Sequence, residues 1–168
     1  MKTAIIETDA GFLGASWSGA GLYSLTMPMP DSASAGQELL ELSFENLRAA
    51  GDGSFSPDRL HSLLAAYFLG GKIKFDIEVD FSGYTLFTRK VLQLTAGIPY
   101  GEVCTYGDVA RMMGNKKGAR AVGRALGANR TPLVIPCHRV IRSDGSLGGF
   151  SSGLEWKARL LRLEGFVF

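Results

Sequence analysis

Between Leu133 and Ile141 the chain reads Leu-Val-Ile-Pro-Cys-His-Arg-Val-Ile, so Cys137, His138 and Arg139 bring a thiol, an imidazole and a guanidinium into an apolar, strand-like run. A thiolate is a strong nucleophile and an imidazole is a base near neutral pH, which makes the pair a candidate for nucleophilic chemistry. Neighbouring cations would favour the thiolate, and polar groups that interrupt a buried run are costly unless they are paired. The loop that follows, Ser143 to Gly153, is rich in Gly and Ser, which lets a ligand approach the backbone closely. Consecutive side chains diverge in strands and helices alike, so Cys137 and His138 need a bridging water or a sharp turn to exchange a proton. His138 also needs an acid to hold its tautomer. Asp144, Glu155 and Glu164 all lie downstream, and spacing does not choose among them.

These groups belong to a chain of 168 residues, 46% hydrophobic and 20% charged, a composition that excludes a disordered segment, a collagen and a disulfide-stapled mini-protein. Two cysteines, Cys104 and Cys137, show neither CxxC nor zinc-ligand spacing and read as free thiols, with Cys104 expected in the core. Glu7 and Asp9 break the apolar opening, and nowhere do about 18 apolar residues run together, so a cytoplasmic protein without a membrane span is expected. The net charge of +2 conceals an asymmetry: residues 1–84 carry 5 Lys/Arg against 11 Asp/Glu, a net of −6, and residues 85–168 carry 13 against 5, a net of +8. The basic half has the signature of a surface for a polyanion.

The elements that must position these residues follow from periodicity and punctuation. Thr3–Thr8, Phe12–Ser18 and Leu22–Met27 read as three strands of a small antiparallel meander, followed by a Pro/Ser loop at 28–34 and a helix over Glu38–Ala50 that ends at Gly51-Asp52-Gly53. Ser56-Pro57-Asp58 supplies an N-cap, a first-turn proline and an acid at the positive end of a second helix. Its core stripe is Leu60, Leu63, Leu64, Tyr67 and Phe68. Lys72–Phe81 alternates completely, with Ile73, Phe75, Ile77, Val79 and Phe81 on one face and Lys74, Asp76, Glu78 and Asp80 on the other, which predicts a half-buried strand. Helices then take over. One is capped by Thr88 and runs to about Ala96, one spans Tyr106–Met113 behind a Thr105/Asp108 capping box, and one spans Ala119–Leu126. The last two, joined by Gly114–Gly118 in the basic half, are a helix-turn-helix candidate.

Pro136-Cys137-His138-Arg139-Val140 resembles the active-site signature of the O6-alkylguanine-DNA alkyltransferases, the methylated-DNA–protein-cysteine methyltransferases. The likeness continues through Pro99-Tyr100-Gly101-Glu102-Val103, Thr105-Tyr106, Ala119-Arg120-Ala121-Val122-Gly123, Asn129, Gly148-Gly149-Phe150-Ser151 and Leu163-Glu164-Gly165, in order and in register over residues 86–168. Two departures, Phe150 where many relatives have Tyr and Ser152 where several have Gly, fall in the loop that would line the base pocket.

The resemblance implies an α+β fold: a ribonuclease-H-like sheet-and-helix domain over 1–84, then a mostly helical domain with a helix-turn-helix over 85–168. It implies that Cys137 accepts the alkyl group, activated through a water by His138, which Glu164 holds, and that Tyr106 donates a hydrogen bond to the departing guanine. Arg120 would enter duplex DNA from the minor groove and replace the flipped nucleotide in the stack. Ala119, Ala121 and Gly123 would permit close approach, and Arg124 and Thr105 would join the DNA contacts. Asn129 would be the hinge, and Arg139, Val140, Phe150 and Ser151 would form the base pocket. The expected function is stoichiometric, irreversible removal of the alkyl group from O6-alkylguanine in double-stranded DNA, with O4-alkylthymine a further substrate. The protein is expected to be a monomer with no metal and no cofactor; His61, the one histidine of the first half, reads as structural. A lesion sensor that flips the base without chemistry would replace the cysteine. A cysteine hydrolase would not need Arg120, and a helix-turn-helix regulator would prefer one DNA sequence.

Overall fold

The computed structural model describes residues 1–43 and 55–167, which divide into two compact units, Met1–Gly83 and Tyr84–Phe168. In the first, β1 (Lys2–Thr8), β2 (Gly11–Ser18) and β3 (Gly21–Leu25) form an antiparallel sheet in that order, joined by two-residue hairpins. Gly11 and Gly21 close those hairpins at φ +124° and +125°, a backbone conformation that side chains with a Cβ rarely adopt. Leu13 to Trp17 of β2 are all buried, so this central strand is covered on both faces. Ser16 and Ser24, opposite one another in register, satisfy each other's hydroxyls at 2.7 Å inside the sheet. The helix α1 (Ser32–Ser43) packs on β2, and Gly14 makes room for it: a Cβ there would lie 2.6 Å from Ala35 O. The helix α2 (Pro57–Phe68) buries Leu60, Leu64 and Tyr67, each contributing about 1.5–3 kcal/mol of apolar burial.

Four local expectations are corrected. The helix α1 starts at Ser32 rather than Glu38, because Asp31 accepts from Ser34 N at 2.8 Å and caps it; the expected continuation from Phe44 to Ala50 and its Gly51–Gly53 stop lie outside the described residues. Ser56 stands at the start of α2 without a side-chain cap, and its backbone carbonyl accepts from Leu60 N instead. The 72–81 segment keeps its in-out alternation but, among the described residues, makes sheet contact at one place, where Leu22 exchanges hydrogen bonds with Glu78 O and Asp80 N in a parallel bridge at Val79. Asp80, expected on the polar face, is buried, because its carboxylate accepts from Ser18 Oγ at 2.5 Å and Ser82 N at 2.6 Å.

The second unit is mostly helical: α3 (Leu86–Ala96), α4 (Tyr106–Met112), α5 (Ala119–Gly127) and α6 (Leu154–Leu163), with a parallel pair, β4 (Cys104–Thr105) and β5 (Val140–Ile141). Together the two units make an α+β protein. The cap of α3 is Thr85, which accepts from the N–H of Thr88, the residue expected to fill that role. The Thr105/Asp108 capping box is present as expected. The run before Cys137 is a turn rather than a strand: Leu133 sits at φ +71° and Ile135 N closes back on Thr131 O. Cys104 is half-buried, opposite Val140 in the β4–β5 pair, instead of in the core. Among the described residues no helix is long and apolar enough to cross a membrane.

Asp80→Ala is expected to destabilise the protein by about 1–3 kcal/mol, since it strands the Ser18 hydroxyl and the Ser82 N–H. Urea denaturation of the two proteins side by side measures it, and an unchanged midpoint would contradict the role assigned to this carboxylate.

Candidate active site

Cys137, His138 and Arg139 form a single 3₁₀ turn between the Thr131–Pro136 turn and β5. With about three residues per turn, successive side chains fan out by roughly 120°. The thiol can therefore face one way while its neighbours reach Glu164, which lies at the C-cap of α6. Of the three acids left open by spacing, Glu164 is the partner. Its Oε1 lies 2.8 Å from His138 Nε2 and accepts from Arg139 Nη2 at 2.9 Å; its Oε2 accepts from Arg139 Nε at 2.8 Å and Gly101 N at 3.2 Å. Both the His138 and Glu164 side chains are fully buried. A carboxylate only accepts, so Nε2 carries the proton and the lone pair of the neutral ring is on Nδ1. Burial pushes the His138 pKa down, outweighing the hydrogen bond and charge of Glu164, so the ring rests neutral and is available as a base.

The thiol is also pushed up by burial, against the opposing hydrogen bond of Asn129 and the charge of Lys157. This reverses the expectation that the neighbouring cations would hold it as thiolate. Arg139 spends its charge on Glu164 and on Ile98 O at 2.6 Å, and desolvation wins at sulfur. The same engagement takes Arg139 out of the base pocket, where the resemblance had set it. Asn129 Nδ2 donates to Cys137 Sγ at 3.1 Å and to Ile135 O at 3.0 Å.

Cys137 opens onto a cavity of about 460 Å³, within the range of small-molecule sites. Tyr106, Ala119, Arg120, Gly123, Arg124, Arg142, Phe150 and Ser151 line it, so most of the expected pocket and DNA residues do converge there. Arg120 is exposed at the start of α5, with Arg124 one turn on. Tyr106 begins α4 and donates to Gly149 O at 3.3 Å; burial raises its pKa, which keeps the phenol protonated. Gly148 is required beside it, because a Cβ there would lie 2.8 Å from the phenol oxygen. Thr105, expected at the DNA, is committed to capping α4 through Asp108. Val140 presents its carbonyl to Lys157, and Ala121 is half-buried on α5.

Lys157 is the residue that the sequence reading missed. Its Nζ donates to Val140 O at 2.6 Å and Gly149 O at 3.1 Å, and lies 5.6 Å from the centre of the Tyr106 ring. Burial lowers its pKa to about 8, opposed by the Cys137 charge. The signal was present: with Leu160, Leu161 and Glu164 it occupies the buried stripe of α6, where a lysine needs a reason.

Residues 86–166 match the family model described as 6-O-methylguanine DNA methyltransferase, DNA binding domain. The chain is 48% identical over 112 residues to the methylated-DNA–protein-cysteine methyltransferase of Methanopyrus kandleri, covering 63% of this chain and 81% of that protein. It is 39% identical over 145 residues to the protein of that name from Mycobacterium tuberculosis, covering 83% and 85% respectively. The crystal structure of Mycobacterium tuberculosis OGT in complex with DNA superposes with a TM-score of 0.75 at 33% identity, over 95% of this chain and 90% of that one.

Two substitutions test the electrostatics. Glu164→Gln should cost roughly 3–5 kcal/mol of stability by leaving the buried Arg139 without its counter-charge, visible as a large fall in the urea midpoint; an unchanged midpoint would contradict the pairing. Lys157→Met removes a positive charge that favours the thiolate, so the pH midpoint for alkylation of Cys137 by iodoacetamide should move upward, and an unmoved midpoint would show that Lys157 does not act on sulfur.

Proposed function

This chain belongs to the methylated-DNA–protein-cysteine methyltransferase family, and from that membership and the site's geometry we propose how it repairs O6-alkylguanine in double-stranded DNA by direct reversal. The observation that carries the mechanism is the buried chain of contacts from Glu164 to His138, in the same turn as a cysteine that opens onto a base-sized cavity. An alkyl group on O6 of a stacked guanine is out of reach of a protein thiol, so the base is extruded, at a cost of a few kcal/mol. Arg120, exposed on the cavity rim at the start of α5, takes its place in the stack from the minor groove. Ala119 and Gly123 keep that rim low. Phosphate contacts supply affinity without sequence preference, which suits repair and makes binding sensitive to salt.

In the cavity the Cys137 proton passes through a water to His138, whose neutral ring is its acceptor, and Glu164 stabilises the imidazolium that forms. Sulfur attacks the alkyl carbon, the S–C bond forms as the O6–C bond breaks, and the bonding pair stays with the base. Tyr106, a protonated phenol on the cavity wall, meets the charge that develops on guanine by donating to it. The thiol proton ends on the restored guanine and the alkyl group on sulfur. A thioether has no carbonyl for water to attack, so each molecule reacts once. The occupied nucleophile position and its hydrogen-bonded neighbours argue against a lesion sensor that binds without reacting.

The finer architecture follows the same reading. The three-stranded meander, its packed helices and the parallel return at Val79 support a ribonuclease-H-like first domain over 1–84. The two helices α4 and α5, separated by a turn with Lys116 and Lys117, support a helix-turn-helix that presents Arg120 and Arg124. On this proposal the protein acts on DNA in the cytoplasm as a monomer.

The test is a comparison of variants on duplex DNA carrying one O6-methylguanine. Cys137→Ser should take up no methyl group while keeping its affinity for the lesion duplex; loss of both would make the residue structural. Arg120→Ala should slow repair in the duplex far more than reaction with the free base O6-benzylguanine, and equal losses would remove its role in extrusion.

A further inference from the structure

Tyr84, two residues ahead of α3, spends its side chain on a segment 44 residues away. Its hydroxyl donates to Ala128 O at 3.0 Å and accepts from Arg130 N at 2.9 Å, so it brackets Asn129 on both sides. The Arg130 guanidinium stacks over the ring, 4.2 Å from its centre. This is where the chain leaves α5 and begins the turn towards Cys137, with Ala128 as the helix C-cap. A side chain therefore bonds the two backbone groups flanking Asn129, where neither helix nor strand does. The Asn129 amide has one consistent orientation. Its Oδ1 accepts from Thr131 N at 3.1 Å, which only donates, so Nδ2 must face Ile135 O and Cys137 Sγ.

We propose that Tyr84 is a positioning residue for the nucleophile: by splinting residues 128 to 130 it keeps the Asn129 amide aimed at the Cys137 sulfur. The proposal rests on the reading of Cys137 as alkyl acceptor. Tyr84 touches neither sulfur nor base, and it acts through Asn129, whose donated hydrogen bond favours the negative charge that sulfur acquires as it loses its proton.

Tyr84→Phe keeps the ring over Arg130 and deletes both backbone hydrogen bonds. Methyl uptake from the O6-methylguanine duplex should slow by about fivefold to tenfold, the range expected for a weakened hydrogen bond to a charged sulfur, with duplex affinity unchanged. The pH midpoint for alkylation of Cys137 by iodoacetamide should rise, since losing the donor disfavours the thiolate. In an Asn129→Ala background, Tyr84→Phe should add no further slowing, because the two act in series. Rates are compared per folded molecule, with the folded fraction taken from urea titration. A wild-type rate and midpoint in Tyr84→Phe, a loss confined to the folded fraction, or full additivity with Asn129→Ala would each overturn the proposal. A wild-type protein that takes up no methyl group would instead sink the transfer reading, and the iodoacetamide midpoint would still report on Tyr84.

Discussion

The Glu164 carboxylate is buried and both of its oxygens are engaged, by His138, by two nitrogens of Arg139 and by the Gly101 backbone. A carboxylate removed from water is stable only when its lone pairs are matched this completely. That requirement dictates much of the second unit. Arg139 must be buried beside it as counter-charge, and Tyr100 fastens the end of α6 by donating to Leu163 O at 2.9 Å. The 97–101 turn must bring a backbone donor to Oε2. The segment of residues 137–139 must be a tight turn, because in a strand Cys137 and Arg139 would share a face and the thiol would compete with the guanidinium for the same space.

One consequence is a division of charge within the site. Arg139 is neutralised by Glu164 and contributes little at sulfur, so the cation that acts on Cys137 is Lys157, from another element. The thiol is kept protonated by burial, and in the proposed mechanism it becomes nucleophilic when its proton leaves for His138. A resting thiolate in a closed protein would be open to any electrophile small enough to enter. A protonated one reacts when a base fills the cavity and the charge has somewhere to go. For a protein consumed by its own reaction, that restraint has evident value.

The candidate site was legible in the sequence because its residues are local. Cys137, His138 and Arg139 are consecutive, and a polar triplet in an apolar run stands out without any structure. The capping box at Thr105 and Asp108, the stripe on α2 and the meander were legible for the same reason: their signals lie within a few residues. What is set by contacts distant in the chain was not. Spacing left three acids open for His138, and only the fold brings Glu164 to it. Asp80 reads as one more exposed acid until Ser18 is found opposite. Lys72–Phe81 has a strand's alternation, but a parallel partner meets it at one position, so pattern alone overstated the ladder. Lys157 was overlooked because lysines are usually solvated, and its place on the buried stripe of α6 was the clue.

Burial keeps His138 neutral while Glu164 fixes its tautomer, with the proton on Nε2 and the lone pair on Nδ1. Nitrogen-15 NMR of the histidine rings reads this directly, because the two nitrogens of a neutral imidazole resonate far apart and the tautomer decides which is which. At pH 7 a neutral His138 with a protonated Nε2 is expected, a signal that His138→Gln lacks. An imidazolium at that pH, or a ring protonated on Nδ1, would contradict it.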